Sequence, residues 1–138
     1  MIMEAKFYKC QVCGNVIVKL VDGGVDPSCC GQPMKLLNAM EVDGAREKHL
    51  PVVCRNEDGL LVIKVGETPH PMTPEHHICF VAVETKKAIK VIYLDPEKPA
   101  EACYCDCHEE VTAIYEYCNL HGLWKTTDIP CKEKCCKK

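Results

Sequence analysis

Between residues 40 and 125, short apolar runs alternate with polar or Gly- and Pro-rich breaks, and no run keeps the three-four spacing of an amphipathic helix. The runs predict strands over Val52 to Arg55, Leu60 to Val65, His77 to Glu84, Ile89 to Leu94, Ala102 to Cys107 and Val111 to Tyr117. Asn56-Glu57-Asp58-Gly59 suits a tight hairpin, and Asp95-Pro96-Glu97-Lys98-Pro99 cannot continue a ladder. Together these segments predict an antiparallel β-sandwich of about seven strands. Ahead of it, Phe7 to Leu37 reads as a separate knot: a Cys-x-x-Cys knuckle, an apolar strand Val16 to Val21, a Gly23-Gly24 turn and a Cys29-Cys30-Gly31 return. The expected domains are 1–37 for the knot, 38–127 for the sandwich, and a mobile Cys/Lys-rich tail over 128–138.

Composition sharpens this division. A chain of 138 residues holds one ordinary domain, or a small domain and a very small one. The first unit has too little apolar surface to offset its chain entropy, so a metal would have to supply the missing stability. Thirteen cysteines would suggest a secreted disulfide scaffold. The start Met1-Ile2-Met3-Glu4-Ala5-Lys6 lacks the features of a signal peptide, however, so the expected location is the cytoplasm, where thiols stay reduced. No apolar run approaches a membrane span. The net charge of −3 and scattered basic residues argue against a nucleic-acid partner.

Two sets of residues carry metal chemistry. Cys10-x-x-Cys13 offers two thiolates on one turn, with backbone amides free to donate to the sulfurs. Its complement is the adjacent pair Cys29-Cys30, whose neighbouring side chains must splay to reach one ion. A closed four-thiolate site accepts zinc or iron, and spacing does not choose between them.

The second set is His49, His70, His76, Cys118 and His121, four of the chain's six histidines and one cysteine, placed in loops or at strand ends. Five protein ligands exceed what structural zinc takes, and nitrogen and sulfur donors disfavour magnesium. Iron or copper remains. A blue-copper site would need a methionine shortly after the last histidine, and Gly122-Leu123-Trp124-Lys125 provides none. Five ligands leave one octahedral position vacant, which tips the first site toward iron as well. His77 and His108 are assigned to solvent or structure. Cys54, Cys79, Cys103, Cys105 and Cys107 are expected as small core residues. Cys131, Cys135 and Cys136 are expected to be reactive tail thiols.

These motifs resemble a known family. Phe7-Tyr8-Lys9-Cys10-Gln11-Val12-Cys13-Gly14-Asn15 with Cys29-Cys30-Gly31-Gln32-Pro33-Met34 resembles the desulforedoxin-type domain of desulfoferrodoxins. Glu47-Lys48-His49-Leu50-Pro51-Val52, His70-Pro71-Met72-Thr73-Pro74-Glu75-His76 and Tyr117-Cys118-Asn119-Leu120-His121-Gly122-Leu123-Trp124-Lys125 resemble their superoxide reductase domain. The likeness runs from about Phe7 to Lys125.

The resemblance implies a rubredoxin-like ferric site at Cys10, Cys13, Cys29 and Cys30. It also implies a ferrous site with equatorial His49, His70, His76 and His121 and axial Cys118. It further implies an immunoglobulin-like sandwich, a homodimer, an anaerobe's cytoplasm and a rubredoxin-like electron donor. The implied reaction is one-electron reduction of superoxide to hydrogen peroxide, with Glu47 and Lys48 on a loop beside the open position. One departure stands out: His77-Ile78-Cys79 follows His76 where the family carries an aromatic and an acidic residue. Two rival readings are a non-catalytic electron-transfer protein with two iron centres and a zinc-stapled interaction module.

Overall fold

The structure is a computed structural model, and it describes residues 4–40, 49–66 and 70–131. It divides into two compact units, Met1–Asn38 and Ala39–Lys138. The described elements are all strands, as the sequence predicts.

The first unit holds β1 (Lys6–Lys9), β2 (Val16–Lys19), β3 (Ser28–Cys29), β4 (Gln32–Pro33) and β5 (Lys35–Leu36). A three-stranded sheet runs β2-β1-β5, and β3 and β4 form a separate small hairpin, all antiparallel. Its core is little more than Tyr8, Cys10 and Met34. Several large apolar side chains stay in solvent, with Leu20 74% and Val21 83% exposed. A core of that size cannot offset the ordering of thirty-odd residues, which is why cross-linking by a metal was expected here.

The second unit holds β6 (Pro51–Arg55), β7 (Leu61–Val65), β8 (Ile78–Thr85), β9 (Ile89–Tyr93), β10 (Glu101–Tyr104), β11 (Val111–Cys118) and β12 (Gly122–Thr126). Two antiparallel sheets, β10-β7-β6 and β12-β11-β8-β9, form the sandwich. Between them Leu61, Ile63, Val65, Ile78, Val81, Val83, Val111, Ile114 and Cys118 make one continuous core. The hairpin at Asn56 forms as its residues dictate. Asn56 Oδ1 accepts from the amides of Asp58 and Leu60 at 2.9 and 3.0 Å, and Gly59 takes φ +82°.

Three expectations need correction. Strand β12 lies in a stretch read only as a turn and ligand motif; it exists because it pairs with β11 from Ile114↔Thr126 to Cys118↔Gly122. The strand expected over Ala102 to Cys107 stops at Tyr104, and its cysteines are not core residues: Cys103 and Cys105 are exposed and Cys107 is half-buried. Cys54 is likewise exposed, and Cys79 half-buried. The residue that turns inward is Asp106, 3% exposed, because Arg55 binds its carboxylate through Nη1 and Nη2 at 3.0 and 2.9 Å. Arg55 also donates to the carbonyls of Pro130 and Cys131 at 3.0 and 2.8 Å. Residues 132–138, including Cys135 and Cys136, lie outside the described residues.

Candidate metal centres

In the first unit the sulfurs of Cys10, Cys13, Cys29 and Cys30 lie within 4.8 Å of one another. The 3.7 Å between Cys13 Sγ and Cys29 Sγ and the 4.0 Å between Cys29 Sγ and Cys30 Sγ match a tetrahedron with metal–sulfur bonds of about 2.3 Å, whose edges are roughly 3.8 Å. The knuckle turns as expected: the amides of Val12 and Cys13 both donate to Cys10 Sγ at 3.4 Å. Adjacent cysteines share the site because Cys30 adopts φ +54°, a left-handed conformation that reverses the chain between two side chains that a strand would point apart.

Electrostatics agrees with a cation there. Amides of Cys13 and Val12 bring the Cys10 thiol down to about 6, so it is ionised at neutral pH. Its charge and the sulfurs of Cys13 and Cys29 push Cys30 up to about 12. Four thiolates cannot be charged together without a metal, and metal entry would release the retained protons.

In the second unit four imidazoles close a cycle. His49 meets His70 with ring centres 5.5 Å apart, His70 meets His76 at 4.8 Å, His76 meets His121 at 5.0 Å, and His121 returns to His49 at 4.6 Å. Every contact is edge-on, with interplanar angles of 69–80°. His49 Nε2 and His121 Nδ1 are 2.9 Å apart, close to the roughly 3.0 Å expected of neighbouring ligands on bonds of about 2.1 Å. Cys118 Sγ lies 3.7 Å from that same His121 Nδ1, and the donors of His70, His76, Cys118 and His121 fall within 4.8 Å of one another. Four of the five expected donors thus share one cluster, and His49 adjoins it through His121. His77 is not among them, its Nδ1 being 2.9 Å from the Thr73 carbonyl, and His108 is exposed.

The donor chemistry fits a metal. His70 Nδ1 faces the Pro71 carbonyl at 2.7 Å, which requires an N–H there and leaves the lone pair on Nε2. That Nε2 is buried with no hydrogen-bond partner, a costly state unless an ion receives it. Burial, with help from the other three imidazoles, lowers His70 to about 4, so it is neutral and ready to coordinate at pH 7. Cys118 is fully buried; desolvation pushes its thiol up, while amides of Leu120 and His121 pull it down.

Two residues that sequence reasoning passed over hold these ligands. Asn119 ties the Cys118–His121 turn to the His76 loop: its Oδ1 accepts from the His77 amide at 2.9 Å, and its Nδ2 donates to the Glu75 carbonyl at 2.9 Å. His76 is thus gripped on both sides. Trp124 stacks on His49 at 4.7 Å and 13°, and its Nε1 donates to the His121 carbonyl at 3.2 Å. Their one sequence signal is their place within the Cys118–Lys125 motif. Glu47 and Lys48, also expected at this site, lie outside the described residues.

The family model described as desulfoferrodoxin matches residues 41–127, and that of the desulfoferrodoxin N-terminal domain matches residues 3–37. The chain belongs to the desulfoferrodoxin family. A desulfoferrodoxin from Syntrophotalea carbinolica is 40% identical over 89% of this chain and 96% of its own length. One from Nitratidesulfovibrio vulgaris is 42% identical over 88% and 95%. Among solved structures, the superoxide reductase from Treponema pallidum is similar with a TM-score of 0.74 and 30% identity, covering 89% of this chain and 98% of that one.

Proposed function

We propose that this desulfoferrodoxin is a superoxide reductase, transferring one electron to superoxide, which leaves with two protons as hydrogen peroxide. The closed cycle of four imidazoles, with buried Cys118 beside it, carries this reading. His49, His70, His76, His121 and Cys118 would hold one iron, and Cys10, Cys13, Cys29 and Cys30 a second. The iron in the histidine cycle would supply the electron and a coordination position for the anion.

The chain's own residues would do the rest. Lys48, next to the ligand His49, concentrates a small anion near the site and holds a proton at Nζ for the product. Glu47, next to Lys48, would offer a carboxylate to the same site. Trp124 stacks on the His49 ring and Asn119 holds the backbone on either side of His76, which would keep the donors in place. The proposed units are 1–37, 38–127 and a tail from 128. A rubredoxin-like donor, a cytoplasmic location and a homodimer complete the reading; Val12, Leu20, Val21 and Val25, 62–83% exposed, supply apolar area for a second copy. No described helix is long and apolar enough to cross a membrane.

Anaerobic rapid mixing of the reduced protein with superoxide tests the proposal. One peroxide formed per superoxide consumed, without oxygen release, is expected, and Lys48→Ala should slow the encounter and flatten its salt dependence. Release of oxygen in step with peroxide would mean dismutation. Failure to consume superoxide or to bind azide would favour the electron-transfer reading.

A further inference from the structure

The sulfurs of the first cluster do not receive the same kind of donor. Cys10 Sγ belongs to a buried residue and accepts the backbone amides of Val12 and Cys13, both at 3.4 Å. Cys29, half-buried, accepts a side chain instead: Asn15 Nδ2 donates to its Sγ at 3.7 Å. The amide has to present its nitrogen there, because its oxygen is an acceptor only and would face the lone pairs of the sulfur. Local structure explains how Asn15 reaches across. Its carbonyl accepts from the Cys10 amide at 2.8 Å, and the Gly14 amide donates to the Cys10 carbonyl at 3.0 Å, so the knuckle closes on itself. Gly14 makes that closure in a left-handed conformation, φ +86°. One half of the site thus fixes the backbone of Asn15, while its side chain serves the other half. Main-chain donors on Cys10 persist whatever side chains surround them. The donor on Cys29 depends on which residue stands at position 15.

We propose that Asn15 is a positioning residue that acts through Cys29 to raise the reduction potential of iron held by the four thiolates, and so sets how readily that centre accepts an electron. The proposal rests on the reading of the first cluster as an iron site. Four thiolates outweigh the charge of a ferric ion by one unit, and a one-electron donor adds another when the ion becomes ferrous. The added charge spreads onto the sulfurs. An N–H aimed at one of them therefore stabilises the reduced state more than the oxidised one, as hydrogen bonds to sulfur do in other thiolate-held iron sites. Asn15 is exposed, so water can replace its N–H, and loss of the amide alone has a modest effect. A carboxylate in its place acts more strongly, because it is repelled by the charge that reduction brings.

The test is a redox titration of the full-length protein reconstituted with iron, run without oxygen against mediator dyes and followed by the visible sulfur-to-iron absorption of the first site. Asn15→Asp keeps the size of the side chain and the knuckle backbone, removes the donor and adds a charge. At a fixed potential its ferrous-to-ferric ratio should be about tenfold lower than in the unsubstituted protein, equivalent to about 59 mV for one electron. Asn15→Ala should lower the ratio about threefold, the worth of an ordinary hydrogen bond net of water. Asn15→Gln keeps an amide donor and should fall between Asn15→Ala and the unsubstituted protein. The absorption maxima of the first site should move with the potential, which a purely structural clamp would not cause. An unmoved potential in Asn15→Asp, with iron retained, would overturn the proposal. So would loss of iron from all three variants, which would make Asn15 a clamp rather than a control on the potential. A chain whose four thiols take up no iron would overturn the iron reading of the first cluster together with this proposal, so the two failures are told apart by metal content. Superoxide consumption by the prereduced variants reports separately on the histidine cycle.

Discussion

In the first unit four sulfurs come from two short turns beside a core of Tyr8, Cys10 and Met34, whereas in the second five donors come from widely separated segments of a sandwich with nine core residues of its own. One candidate ligand, Cys10, is itself part of the first core. In the second unit only Cys118 belongs to the core, and the histidines sit at its end, oriented by Asn119 and Trp124. The difference teaches that a metal can be the fold in one region and cargo of the fold in another, within one chain.

Metal removal breaks the comparison most sharply. Stripping the protein under reducing conditions should unfold the first unit and leave the sandwich folded, because small Cys-rich sites draw on the order of 10 kcal/mol from the ion. Hydrogen exchange resolved by segment measures this: amides of β1 and β2 should lose protection, and those of β8 and β11 should keep it. Retained protection in β1 would place the knot's stability elsewhere.

Next in size is a change far from either site. Arg55→Ala would remove both charge-assisted hydrogen bonds from the buried Asp106 carboxylate, an expected loss of about 3 kcal/mol or more. The thermal transition of the sandwich should fall while the charge-transfer absorbance of the first site is unchanged. Asp106→Asn in the same background should recover part of the loss by removing the buried charge.

How much of this could be read in the sequence follows from the range of each interaction. The candidate ligands were legible because histidine is scarce and part of each set is closely spaced, as in Cys10-x-x-Cys13 and Cys118-Asn119-Leu120-His121. The breaks at Asn56 and Asp95 were legible because each turn is closed by its own side chain; Asp95 Oδ1 accepts from the Glu97 amide at 2.9 Å. Cys103, Cys105 and Cys107 misled because their alternation copies a strand, while the reason that the strand ends, Arg55, lies fifty residues away. Strand β12 stayed hidden because five residues opened by Gly122 become a strand only through β11. Asn119 looked like a spacer, since its partners at Glu75 and His77 are equally remote.

Asn119→Ala sharpens the comparison at the sandwich site. Loss of the clamp frees the His76 loop, and an outer-shell partner of this kind is worth about 10–100-fold in metal affinity. Iron retention against a chelator should drop by that factor, and the ferric sulfur-to-metal absorption should shift. Asn119→Asp keeps the Oδ1 acceptor for the His77 amide and should recover part of the affinity. The first site's spectrum should not move in either variant.

The smallest effect is a proton's worth of stability, and it isolates the sandwich because the metal-free knot should no longer contribute a folded transition. His70 is held at about 4, below its ordinary 6.5, first by burial and then by His76, His49 and His121. A lowered imidazole means that the unfolded chain binds the extra proton first. Stability of the metal-free sandwich should therefore be full above pH 6.5, fall as the pH drops toward 4, and level off below it, with a slope of at most about 1.4 kcal/mol per pH unit from this group. Thermal melts across that window check the sign, and His70→Gln should flatten the curve there. A melt that stays flat in the unsubstituted protein would mean that His70 remains hydrated in the metal-free state, and the imidazole cycle would then be assembled by the ion, as the knot is, rather than offered to it ready-made.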